Sequence, residues 1–255
     1  MAPFPIKSLQ HPLVKHCVNL RQSAAYRHEM QSFLIPCRQQ IQELPEKLSL
    51  LKLFSLEGHP PIRKAEHCLT VSQEVLKKIT GLVSPEPYAA ILALPQLKPT
   101  RYERLLICDR ISDPGNLGTL LRTALSFGFD AAFLLPGCVD PFNDKVVRSA
   151  KGALFHLPLL FGDWDDLLLL QKQKGLHLYQ ADLQGSALEE TSFSLPLGLI
   201  LGNESQGTSW EAKKCAQDVA ISINPSMDSL NVAIAGGIFM FTMRASCQKM
   251  TTTST

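Results

Sequence analysis

Cysteine pairs at metal-binding or redox spacing are missing from this 255-residue chain. Its seven cysteines (Cys17, Cys37, Cys68, Cys108, Cys138, Cys215 and Cys247) are scattered, with no Cys-x-x-Cys. An odd, dispersed set argues for reduced thiols rather than a disulfide framework or a structural zinc site. The histidines, His156 and His177 among them, also lack ligand spacing, so no metal is expected. The longest apolar stretches, such as residues 232–243, fall short of the roughly 20 residues that cross a bilayer. The opening Met-Ala-Pro-Phe-Pro-Ile-Lys has no secretory core. Neither a Gly-x-Gly-x-x-Gly after a strand nor a Gly-x-x-x-x-Gly-Lys-Ser/Thr occurs, which removes support for a Rossmann dinucleotide site or an ATP phosphate loop. There is no internal repeat, low-complexity tract or heptad run. These absences leave a globular chain, expected in the cytoplasm with no membrane partner.

What is present is unevenly distributed. Residues 1–100 carry 12 Lys and Arg against 7 Asp and Glu, a surplus of +5; the remainder carries 13 against 16, or −3. Five of the seven histidines also fall in the first 100 residues. A basic half beside a near-neutral half suits an RNA-contacting domain next to a small-molecule site. The length allows two domains.

In the first half the pattern predicts a helix over 9–21 capped by Ser8, a short helix over 24–30 and a helix over 38–44. Strands are expected over 32–35, 51–55, 69–71 and 88–94. A further short helix opens at Ser72 and closes at Gly81. The proline-bounded stretch 95–100 reads as the linker. The second half alternates: strand 105–109, helix 116–127, strand 131–135, a helix near 143–149, helix 164–174, strands 176–181 and 197–201. Helix 209–215, strand 218–223 and helix 230–244 follow, then a tail over 250–255 expected to be disordered. Such alternation argues for an α/β fold with a parallel sheet covered on both faces.

Three polar segments interrupt the apolar elements of this half. Asp-Pro-Gly-Asn at 113–116 is a strong turn signal, with Asn116 where a helix N-cap belongs and Arg122 almost two turns further on. Leu-Gly-Asn-Glu-Ser-Gln-Gly at 201–207 is a glycine-bounded turn holding one carboxylate, where backbone can approach a ligand closely. Ser-Leu-Asn-Val at 229–232 opens an apolar helix, with Asp228 or Ser229 placed to cap it. Two polar turns after two apolar strands suggest one small-molecule pocket at a sheet edge. Taken singly, Asn116, Ser229 and Asn231 also read as caps, Glu204 as a solvated turn carboxylate and Arg122 as a surface cation.

Together the segments resemble the three motifs of the SpoU (TrmH-like) RNA ribose methyltransferases of the SPOUT superfamily, in order, over about residues 104–245. Residues 147–158, Val-Arg-Ser-Ala-Lys-Gly-Ala-Leu-Phe-His-Leu-Pro, are similar to a further family segment. The first half resembles the substrate-binding domain of many members, through Ser-Leu-Gln-His-Pro-Leu-Val-Lys at 8–15 and residues 71–80, although Pro36-Cys37 stands where the family often has Glu-Gly.

The resemblance implies a small α/β RNA-binding domain over 1–98 and a SPOUT methyltransferase domain over 99–255 with a deep trefoil knot. It further implies S-adenosyl-L-methionine as cofactor, RNA as substrate with ribosomal RNA favoured, and a homodimer through the C-terminal domain. Arg122, Asn116, Glu204, Ser229 and Asn231 are then the catalytic candidates. Leu201, Gly202, Asn203, Gly207, Ile221, Ile223 and Leu230 are the cofactor candidates. An arginine side chain is very rarely deprotonated, so Arg122 suits a phosphate clamp better than a base. One departure stands out: the family commonly has Ile-Pro-Met-x-Gly before the third motif. This chain has Ile-Asn-Pro-Ser-Met-Asp at 223–228, about two residues shorter and without the glycine. A tRNA substrate and a non-catalytic RNA-binding relative are the alternatives.

Overall fold

The computed structural model describes residues 5–252, which fall into two compact units: Met1–Gln96 with Asp140–Phe155, and Leu97–Val139 with His156–Thr255. In chain order the elements are α1 (Pro12–Gln22), α2 (Ala24–Glu29), β1 (Ser32–Ile35), α3 (Arg38–Glu43), β2 (Leu50–Leu56), β3 (Ala65–Val71), α4 (Gln73–Thr80) and β4 (Tyr88–Ala93). Then come β5 (Arg104–Cys108), α5 (Pro114–Ser126), β6 (Ala131–Leu134), α6 (Asp144–Ala150), β7 (Leu159–Phe161), α7 (Trp164–Lys174) and β8 (His177–Ala187). β9 (Leu197–Leu201), α8 (Trp210–Cys215), β10 (Gln217–Ala220) and α9 (Val232–Thr252) complete the chain.

The first unit holds a four-stranded sheet of order β1-β4-β2-β3. Helices α1 and α4 bury Val14, Cys17, Leu20, Val75, Leu76 and Ile79 against Phe54 and Ile91 of the sheet. Helix α4 is closed at both ends: Ser72 Oγ accepts from Val75 N, and Gly81 takes the left-handed conformation at φ +69°. Helix α1 begins later than expected. Pro12 suits a first helical position, so His11 becomes the cap, its Nδ1 accepting from Leu13 N at 3.2 Å. Residues 140–155 cluster here rather than with the second half, where the sequence reading put them. Phe142 and Phe155 pack on Phe33 with centroids 5.1 and 6.1 Å away. The buried Arg27 guanidinium meets Asp140 at 2.5 Å.

The second unit holds a six-stranded, wholly parallel sheet of order β10-β8-β9-β5-β6-β7. Its central strands are continuous apolar runs because both faces are covered; every residue of β9 is buried. The α/β fold with a parallel sheet is as expected. Strand β7 was not foreseen, and β8 runs to Ala187, six residues beyond the expected end. Helix α9 reaches Thr252, so part of the tail expected to be disordered is helical; residues 253–255 lie outside the described residues. Among the described residues no helix is long and apolar enough to cross a membrane. β5 and β9 pair in parallel, with Cys108 beside Leu201. Their C-terminal ends, the usual ligand side of an open α/β sheet, therefore release adjacent loops.

Candidate active site

Where β5 and β9 end, a charged pair ties their loops together. Asp109 N donates to Leu201 O at 2.9 Å, and the Asp109 side chain is buried to 1% exposure. Its Oδ2 accepts from Ser209 N at 2.6 Å and its Oδ1 from Arg110 Nε at 3.1 Å. Arg110, at φ +58°, turns back to donate to Gln206 Oε1 at 3.0 Å and Gly207 O at 3.3 Å. Asn203 closes the turn from within: its Oδ1 accepts from Ser205 N and Gln206 N, and its Nδ2 donates to Arg110 O at 3.1 Å. Gly202 is required by closeness, since a Cβ there would lie 2.4 Å from the Gly207 carbonyl carbon and Thr208 N. Gly207 is required by its φ of +68°.

Three residues far apart in sequence then meet in one hydrogen-bonded chain. Asn231 Nδ2 donates to Asn116 Oδ1 at 3.0 Å, and Asn116 Nδ2 donates to Glu204 Oε1 at 2.6 Å. Its polarity follows from the start of α9. Asn231 Oδ1 accepts from Ala233 N and Ile234 N, so Asn231 is the helix cap and only its amide nitrogen faces Asn116. Asn116 must then accept on its oxygen and donate to the Glu204 carboxylate. Two caps in the site differ from expectation. Asn231, not Asp228 or Ser229, caps α9; Asp113, not Asn116, caps α5, because Pro114 takes the first helical position and Asp113 Oδ1 accepts from Asn116 N at 2.8 Å.

Beside this chain lies a cleft of about 500 Å³. All seven residues predicted to hold a cofactor line it (Leu201, Gly202, Asn203, Gly207, Ile221, Ile223 and Leu230), as do Glu204 and Ser229. The shortened segment before the third motif is held by Asn224, whose Oδ1 accepts from Ser226 N and whose O accepts from Met227 N; Asp228 still faces the cleft. Asn116 and Asn231 join through Glu204. Arg122 does not join them: it is exposed on α5, its guanidinium makes no hydrogen bond or ion pair among the described residues, and it is not part of the cleft wall.

Sequence reasoning missed Asp109, Arg110, Thr208 and the cleft wall from β8, which includes Asp182, ion-paired with Lys213 at 3.8 Å. A charged pair closing an apolar strand was the available signal for the first two. The thiols beside the site are not nucleophiles. Burial pushes Cys108 well above its ordinary value and Cys138 up to about 11. Among the described residues no three metal-ligating side chains converge.

Residues 103–241 match the profile of the SpoU rRNA Methylase family. The chain belongs to the SpoU rRNA Methylase family. Among SpoU relatives, it is 33% identical to the Bacillus subtilis 23S rRNA (guanosine(2553)-2'-O)-methyltransferase RlmP, over 69% of the chain and 72% of that protein. It is 34% identical to a Synechocystis sp. protein named Uncharacterized tRNA/rRNA methyltransferase, over 94% and 93% respectively. The solved structure of an AdoMet-bound rRNA methyltransferase from Sinorhizobium meliloti superposes with a TM-score of 0.83 at 29% identity, covering 95% of this chain and 97% of that one.

Proposed function

We propose that this chain transfers a methyl group from S-adenosyl-L-methionine to a ribose 2'-hydroxyl of RNA, ribosomal RNA in preference to tRNA, in the cytoplasm. The observation that carries this reading is the Asn231–Asn116–Glu204 chain ending at the cleft. The donor set fits the cofactor. Leu201, Ile221, Ile223 and Leu230 offer apolar walls for an adenine, Asp182, Glu204 and Asp228 offer carboxylates for an ammonium and a sulfonium, and Lys213 offers a cation for a carboxylate. When bound, S-adenosyl-L-methionine supplies an electrophilic methyl and a thioether leaving group. The residues of the chain supply position and a proton acceptor. With Glu204 Oε1 occupied by Asn116, Oε2 is left to accept the hydrogen bond, then the proton, of the attacking hydroxyl. Arg122 keeps its charge and grips the phosphate next to the target ribose.

Arg122 reaches a cleft through a second copy of the chain. Ile234, Ile238 and Phe241 form an exposed apolar stripe on α9 at helical spacing, 58%, 38% and 60% exposed, and this stripe suits a homodimer contact. A deep trefoil knot through the C-terminal loops and an RNA-binding role for residues 1–98 belong to the same reading. Two observations support the reading locally: the close approach of Gly202 to its own turn and the basic first half.

Calorimetric titration with S-adenosyl-L-methionine tests the reading. Stoichiometric micromolar binding is expected in wild type and in Arg122→Ala, with methyl transfer lost only in the variant. Folded, dimeric protein that binds no cofactor overturns the enzymatic reading.

A further inference from the structure

Trp210 is one of two tryptophans in the chain and is 67% exposed, an unusual place for so large an apolar side chain. It is the first residue of α8 and stands two residues after Thr208 and three before Lys213, both of which line the cleft. Trp210 is thus flanked in sequence by two residues of the cleft wall while standing outside that wall itself. Lys214, one turn along the same helix, holds its Nζ 4.5 Å from the ring centroid. That contact orients the indole and adds a cation beside it. No core requires the ring there: on this helix Ala212, at 0% exposure, and Cys215 are the residues that pack inward. A flat, exposed aromatic surface next to an ammonium is how proteins hold an unstacked nucleobase. The ring takes the base face and the cation its phosphate.

We infer that Trp210 and Lys214 form a stacking platform for one unpaired nucleobase of the RNA near the nucleotide being methylated. The inference rests on the RNA reading above and adds a residue to it that no motif contains. Single-stranded or looped RNA is the class of ligand that fits, since a base within a duplex has no free face to offer.

The test uses the full-length protein, deproteinised ribosomal RNA and a single-stranded oligouridylate. Tryptophan emission is recorded for wild type and for Trp210→Phe, which keeps Trp164 as the shared background, and RNA binding is followed separately by gel shift. The platform predicts that RNA quenches the Trp210 component and shields it from acrylamide. It also predicts that Trp210→Ala weakens RNA binding about 5- to 150-fold. Trp210→Phe should retain most of the affinity, and cofactor affinity should be unchanged in both variants. RNA that shifts the protein yet leaves Trp210 emission and Trp210→Ala affinity unchanged overturns the platform while leaving the RNA reading intact. Shielding that grows with protein concentration in the absence of RNA assigns the ring to a protein contact and overturns the platform as well. No gel shift by wild type overturns the RNA reading and the platform with it.

Discussion

Asn116 is the hinge of the proposed chemistry, and its replacement gives a graded result. The amide donates at 2.6 Å to a carboxylate and accepts at 3.0 Å from Asn231, so both ends of the side chain are used. A hydrogen bond to a charged group is worth about 1.5–3 kcal/mol, which at about 1.4 kcal/mol per decade is roughly 10- to 150-fold in rate. Glu204 is exposed, and water can replace part of the lost bond, so the lower end of that range is expected for Asn116→Ala. Asn116→Asp keeps the shape but sets a carboxylate against a carboxylate. At neutral pH it should lose at least as much as the alanine variant. On acidification the introduced carboxyl takes a proton and can donate as the amide did, so its rate relative to wild type should recover, whereas that of Asn116→Ala should not. Asn231→Asp separates capping from relay. It keeps the oxygen that caps α9 and hence near-normal thermal stability, but cannot donate to Asn116 and should slow turnover. The assay is single-turnover methyl transfer at saturating cofactor, with cofactor affinity measured alongside. Wild-type turnover in Asn116→Asp, or pH profiles of the two Asn116 variants that run parallel, would refute the reasoning.

Asp140→Ala strands the Arg27 guanidinium, 2% exposed, with Leu20 O and Arg21 O as its remaining partners among the described residues. A loss of about 3–5 kcal/mol, or on the order of 10 °C in melting temperature, is expected, and a melting curve within 2 °C of wild type would contradict it. His16 is held below its ordinary value by burial and by Lys52. Its contribution to stability is therefore complete above the unfolded value of 6.5 and is lost as pH falls through the lower folded value. His16→Gln should flatten the fall in denaturation midpoint between pH 7 and pH 5, and an unchanged slope would count against this. Gly202→Ala places a methyl 2.4 Å from backbone atoms of Gly207 and Thr208. The turn must open, at about 1–3 kcal/mol, so cofactor binding should weaken roughly 5- to 150-fold by calorimetry, and undiminished affinity would show that the turn does not shape the cleft.

Strand β9 and helix α7 match the sequence reading residue for residue, because a doubly covered strand is an unbroken apolar run and α7 has an acidic cap at Asp163 and a left-handed stop at Gly175. Helix starts were less legible. Asp113 and Asn116, Ser8 and His11, and the trio Asp228, Ser229 and Asn231 are all competent caps by type. Proline at a first helical position chose between the members of the first two sets, and the packing of α9 chose Asn231. Residues 140–155 show the limit of periodicity: it marks Val146 and Val147 as core without saying whose core, and they are buried in the first unit. The short β7, none of whose residues is fully buried, left no pattern to read.

In the site, the glycine-bounded turn and the third polar cluster were visible as turns. Their convergence with Asn116 was not, since Asn116 lies 88 residues from Glu204 and 115 from Asn231. Only likeness to a known set of motifs brought them together before the structure did. The Asp109–Arg110 tie escaped because a strand-ending charged pair reads equally well as a solvated edge.

The central claim is tested most directly by incubating the protein with S-adenosyl-L-methionine carrying a labelled methyl group and ribosomal RNA, digesting the RNA to nucleosides and separating them. The account predicts label in a single 2'-O-methylnucleoside, absent with Arg122→Ala. Label on a base, or none with protein that binds the cofactor, would contradict it.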